Sequence, residues 1–175
     1  NPTPIERPPE HLGVRHLTSD IVDEAIEWLR LRNSVATRKP YFLYVAPGAV
    51  HSPHHVPRVW IEKYRGMFDR GWDALRAEVY LRQKALGVVP VDARLTPRPT
   101  EVAEWESLST EHRRLLRRQM EVYAAFLSHT DYEMGRLLET VRSTPGADDT
   151  LVLYIAGDNG SAGEGGPNGM SDLAT

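Results

Sequence analysis

The pair Asp158-Asn159 sets a carboxylate and an amide carbonyl side by side. Hard cations such as Ca²⁺ or Mg²⁺ take oxygen ligands of this kind. Adjacent residues of a regular strand point to opposite faces, but the flanking Gly157 and Gly160 let the backbone turn so that both side chains converge. The same Asp-Asn-Gly run also makes an ordinary tight turn, and residue chemistry alone leaves both readings open. A second group lies at His51, His54 and His55. An imidazole with an ordinary pKa of about 6.5 can donate a proton near neutrality, so His51 is a candidate general acid. Its alternative is a loop histidine satisfied by a backbone carbonyl. The His-x-x-His-His spacing also suggests a transition-metal site, which neither a cysteine nor a nearby carboxylate completes.

Other polar groups read as structural. The run Gly160 to Gly166 is rich in glycine but lacks the Gly-Lys-Ser/Thr ending of a phosphate-binding loop. Arg113, Arg114, Arg117 and Arg118 form a basic helical patch, read as a solvated face with Arg117 and Glu121 at ion-pair spacing. His129, Asp131 and Glu133 sit in a long helix, where they are expected to be exposed rather than to support a site.

The elements that must position these groups follow from periodicity. Thr18, Ser19 and Asp20 offer caps to a helix whose face is Ile21, Val22, Ala25 and Leu29, ending near Leu31 to Ser34. Tyr41 to Ala46 is apolar without alternation and reads as a strand buried on both faces. A helix is expected around Trp72 to Leu86, then an extended connection through the prolines between Gly87 and Pro99. Ser109 reads as the cap of a long helix reaching about Ser143, with a bend near Gly135. Pro145-Gly146 then turns the chain into a second apolar run, Thr150 to Ala156. Two such runs separated by helices predict an α/β fold with a mostly parallel sheet flanked by helices. Parallel strands would bring His51 and Asp158-Asn159 to one sheet edge, where ligands of such folds bind. Two strands cannot close a core, so further strands are expected from sequence outside this chain.

Composition narrows the partners. Of 175 residues, 41% are hydrophobic and 26% charged, with a formal net charge of −3, which is a globular balance that gives no reason to expect nucleic acid. No apolar run approaches the roughly 20 residues that span a bilayer, so no membrane partner is expected. The chain has no cysteine, which removes disulfides, zinc-thiolate sites and a thiol nucleophile.

Several of these segments together resemble the sulfatase family, in its arylsulfatase branch. Thr150 to Gly160 is similar to the sulfatase strand that ends in a calcium-binding Asp-Asn, and Tyr41 to Ala49 leading to His51, Pro53, His54 and His55 resembles the segment carrying an active-site histidine. Gly71-Trp72-Asp73, Arg82-Gln83-Lys84, Leu95 to Pro99, Arg118 to Ala124, His129-Thr130-Asp131 and Gly135 to Leu138 continue the likeness. The resemblance implies the alkaline-phosphatase-like fold and a small-molecule sulfate ester as substrate. It implies that residues 1–175 are the central part of one catalytic domain, incomplete at both ends. Asp158 and Asn159 would then be Ca²⁺ ligands, His51 would contact the sulfate or protonate the leaving oxygen, and His54 and His55 would lie against substrate. The family's formylglycine nucleophile arises from a Cys/Ser-x-Pro-x-Arg motif, which this chain lacks: Ser52 is followed directly by Pro53. Nucleophile and remaining metal ligands are therefore expected outside these residues. A phosphate or phosphonate ester hydrolase of the same superfamily, or a non-catalytic module keeping the fold, are the alternatives.

Overall fold

The computed structural model describes residues 16–36 and 39–157. Its first helix, α1 (Leu17–Val35), has Val22, Ala25, Ile26 and Leu29 buried along one face. These positions follow the i, i+3, i+4, i+7 rule of a helix lying on a core. The cap is His16, ahead of the expected Thr18, Ser19 and Asp20: its imidazole accepts from the Thr18 amide, and Thr18 itself is buried.

A short helix, α2 (Arg58–Glu62), precedes α3 (Gly71–Ala85), which matches the helix expected around Trp72 to Leu86. A single 3-10 turn, Trp105–Ser107, leads into α4 (Thr110–Arg142), 33 residues long. At about 1.5 Å per residue α4 spans roughly 50 Å, and it is the mast on which the other elements lean. Ser109 caps it as expected, its hydroxyl accepting from the His112 amide. The turn at Pro145-Gly146 passes into a second 3-10 turn, Ala147–Asp149.

The main core lies between α1 and α4. Val22, Ala25, Ile26 and Leu29 meet Met134 and Leu137, and Tyr41, Leu43, Val45 and Val141 pack against this cluster. A smaller core joins α3 to the turn before α4. Trp105 is buried edge-on to Trp72 with ring centroids 4.8 Å apart, and Asp73 accepts from the Trp105 amide at 2.9 Å and from Arg98 at 2.8 Å. Gly71 is required here: its φ is +74°, and a Cβ on it would lie 2.1 Å from the Trp105 ring. The Gly71-Trp72-Asp73 motif is thus the hinge pin of this unit.

The expectation of an α/β fold with a parallel sheet is overturned. Among the described residues there is no strand, and the architecture is helical. Tyr41 to Ala46 is extended but unpaired with any neighbouring strand. It alternates, with Tyr41, Leu43 and Val45 on the helical core and Phe42 88% exposed. The second apolar run likewise forms no strand, and Leu151 and Ile155 are 82% and 91% exposed. A strand exists only where a second chain segment completes its ladder of hydrogen bonds. Apolar content supplies the propensity for extended backbone and cannot supply that partner.

Candidate active-site loop

Residues 48–57 link the extended segment to α2 and carry all three histidines of the sequence prediction. Two tight turns shape the loop: the His51 amide donates to the Gly48 carbonyl at 2.9 Å, and the His55 amide to the Pro53 carbonyl at 3.0 Å. His51 is exposed, and its Nδ1 lies 2.7 Å from the Ser52 carbonyl. A carbonyl only accepts, so Nδ1 carries a hydrogen, and Nε2 is the nitrogen outside this bond. The backbone partner expected of an ordinary loop histidine is therefore present, yet it engages one nitrogen and orients the other.

His54 faces the opposite way. Its ring lies edge-on to Tyr123 at 5.4 Å and against Phe126 at 6.0 Å, both on α4. Desolvation lowers its pKa, with the nearby His51 acting in the same direction and the Val50 backbone opposing. These ring contacts anchor the loop on α4. His55 is exposed, and its carbonyl accepts from His16 Nε2 at 2.6 Å.

Beneath the loop, α1 and α4 share a buried polar cluster. Ser19 donates to Glu133 at 2.8 Å and lies 3.4 Å from His129 Nε2. His129 and Glu133 are 3% and 5% exposed, which corrects the expectation that they face solvent. Arg136 closes the far side, bonded to Glu133 and, at 2.6 Å, to Asp23. The His129 ring is edge-on to Trp60 of α2 at 5.3 Å and to His16 at 4.3 Å. Its Nδ1 is buried with no hydrogen-bond partner among the described residues. Burial is the main cause of its lowered pKa, and Glu133 opposes it.

Serine, histidine and glutamate in one cluster invite comparison with a hydrolytic triad, and the geometry rejects it. In a triad the serine proton goes to histidine while the acid holds the other ring nitrogen. Here Ser19 gives its proton to Glu133, Glu133 lies 3.6 Å from the same Nε2, and Nδ1 has no partner. The cluster holds elements together. Sequence reasoning missed it, although Phe126, His129, Thr130, Glu133, Met134 and Leu137 share one helical stripe and all are buried. A polar residue on such a stripe is a signal of a buried network.

The basic patch is largely solvated, but its pairs differ from those expected. Arg117 reaches Asp69 at 3.1 Å, whereas Glu121 is buried and accepts from Arg118 and from the Gly66 amide, each at 2.9 Å. These contacts fasten the turn after α2 to α4. Asp158 and Asn159 lie outside the described residues. Among the described residues no cluster of three or more His, Asp or Glu side chains could hold a metal ion. No described helix is long and apolar enough to cross a membrane.

The loop thus carries an exposed histidine, His51, held by a backbone carbonyl and seated against α4 through His54. The chain belongs to the sulfatase family, whose model matches residues 2–173. It is 32% identical to an arylsulfatase of Klebsiella aerogenes over 123 residues, covering 70% of this chain and 26% of that protein. It is 30% identical to an uncharacterized sulfatase of Schizosaccharomyces pombe over 161 residues, covering 89% of this chain and 28% of the relative. A sulfatase of Formosa agariphila is 24% identical over 144 residues, covering 82% and 26% respectively. The chain thus spans about a quarter of the length of the curated relatives it matches.

Proposed function

We propose that this chain is part of an enzyme that hydrolyses sulfate esters, with His51 acting on the leaving oxygen. Family membership across residues 2–173 carries this reading. The orientation of His51 supports the residue assignment: with Nδ1 held by the Ser52 carbonyl, Nε2 is the nitrogen free to exchange a proton with substrate. Protonated, it would donate to an aryl or alkyl oxygen as the ester bond breaks. Neutral, it would accept a hydrogen bond from the alcohol formed.

The nucleophile in this reading is a formylglycine hydrate contributed from outside these residues. Asp158 and Asn159 offer oxygen donors that suit Ca²⁺, and two donors are fewer than the six to eight such an ion takes. They would form part of a site that neutralises sulfate charge. Arylsulfatase activity is the specific form proposed, in keeping with the arylsulfatase of Klebsiella aerogenes among its relatives.

The test is turnover of an aryl sulfate and the matching aryl phosphate by the full-length protein. Preference for the sulfate, loss of activity with chelator, and a large fall in kcat for His51→Ala are expected. Preference for the phosphate ester would assign the protein to phosphoryl chemistry. Turnover of neither ester by full-length protein would favour a binding module.

A further inference from the structure

We infer that His16 is a positioning residue, a clasp that holds the His51 loop in register with α1. The inference rests on the assignment of His51 above. Its basis is the use of both imidazole nitrogens. Nδ1 accepts from the Thr18 amide at 3.2 Å, which caps α1, and Nε2 meets the His55 carbonyl at 2.6 Å. An amide only donates and a carbonyl only accepts, so the ring must be neutral with its hydrogen on Nε2. One side chain therefore ties the first turn of α1 to a loop 39 residues further on.

The ring is itself held in place. It lies edge-on to Phe126 at 5.6 Å and to His129 at 4.3 Å, both on α4. His129 is fixed in turn by Trp60 and by the Ser19–Glu133 pair. Tilting His16 would release the His55 carbonyl. The loop from His51 to His55 would then keep His54 against Tyr123 and Phe126 as its remaining anchor on α4. A general acid displaced by about 1 Å loses on the order of a hundredfold in rate.

Two substitutions separate the nitrogens. In His16→Asn the side-chain oxygen takes the place of Nδ1 and keeps a strong helix cap, but the chain is too short to reach the His55 carbonyl. In His16→Gln the amide nitrogen takes the place of Nε2 and keeps that bond, while the cap is lost. In the full-length protein, His16→Asn should melt close to wild type and lower kcat on an aryl sulfate about 10- to 100-fold with KM nearly unchanged. It should also speed hydrogen exchange at the His51 and His55 amides. His16→Gln should retain kcat within about threefold and loop protection, and melt about 2 °C lower.

Unchanged amide exchange in His16→Asn overturns the clasp whatever the activity. Equal loss of kcat in both variants also overturns it, because that marks a merely structural role. If His16→Asn does not fold, His16→Gln decides alone, and loss of loop protection there sinks the proposal. Faster exchange in His16→Asn with full activity in His51→Ala leaves the clasp standing and removes the assignment of His51.

Discussion

Ser19 on α1 donates its hydroxyl hydrogen to Glu133 on α4 across 2.8 Å, joining residues 114 apart in sequence. Glu133 is almost fully buried and also takes Arg136, which reaches back to Asp23 of α1. The two helices are therefore locked by a charged network as well as by Val22, Leu29, Met134 and Leu137. Because His129 sits inside this network and packs on His16 and Trp60, the same lock supports the loop that carries His51.

Breaking that lock from one side should cost more than removing the hydroxyl. Glu133→Ala strands a partly buried serine and a partly buried guanidinium and should destabilise by about 3 kcal/mol. Ser19→Ala removes one hydrogen bond to a charged group and should cost about 1.5 kcal/mol. Urea denaturation of the full-length protein gives both values. Their sum should exceed the loss in the double variant, since the two residues share one interaction.

The second core gives a steric prediction. Gly71→Ala must place a methyl group inside the Trp105 ring at a backbone φ of +74°. Overpacking and left-handed strain together should cost about 3 kcal/mol. Tryptophan fluorescence through a thermal melt would report the change, with a lower midpoint expected. A midpoint equal to wild type would mean that Trp105 has room to move.

Acidification should destabilise the helical platform in the range of histidine titration. The folded-state pKa values of His129 and His54 are depressed, chiefly by burial. In the unfolded chain each titrates near its ordinary value of about 6.5. Below that value the unfolded state binds more protons, so stability falls as pH falls through the folded value. Denaturation midpoints at pH 7.5 and 5.5 should differ by less in His129→Leu than in wild type. An equal drop in both would remove His129 as the cause.

A second acid-sensitive point lies at Asp73. Its pKa is lowered first by the Trp105 amide and then by Arg98. Its contribution is complete above the unfolded carboxylate pKa of about 3.9 and is lost as pH falls through the lower folded value. Asp73→Asn should therefore weaken the Trp72–Trp105 unit at neutral pH and flatten its response below pH 4. Near-ultraviolet circular dichroism, which reads the packed tryptophans, is the appropriate measurement.

The proposed metal site makes a prediction independent of the helices. Asp158→Ala should reduce Ca²⁺ affinity of the full-length protein at least tenfold by calorimetry and reduce ester turnover in parallel. Calcium binding and turnover that survive this substitution would remove Asp158 as a ligand.

Much of the helical structure was legible before any coordinates. The stripe from Val22 to Leu29, the Ser109 cap and the extent of α4 follow from spacing within single elements, and those features are local. The identity of the first cap was not legible, because a histidine at position 16 can cap only if its ring is turned correctly, and the ring is turned by Phe126 and His129 of α4. The burial of Glu133 was missed for a similar reason: a carboxylate is expected outside until Ser19 and Arg136 are known to meet it.

The order of residues by itself determined the three long helices α1, α3 and α4, and membership of the sulfatase family. Only the tertiary structure decided that Tyr41 to Ala46 and Leu151 to Ala156 form no strand, and that His16, Ser19, His129 and Glu133 meet. Helical periodicity is written into neighbouring residues, whereas a sheet ladder or a buried ion pair needs a partner that the local sequence does not contain.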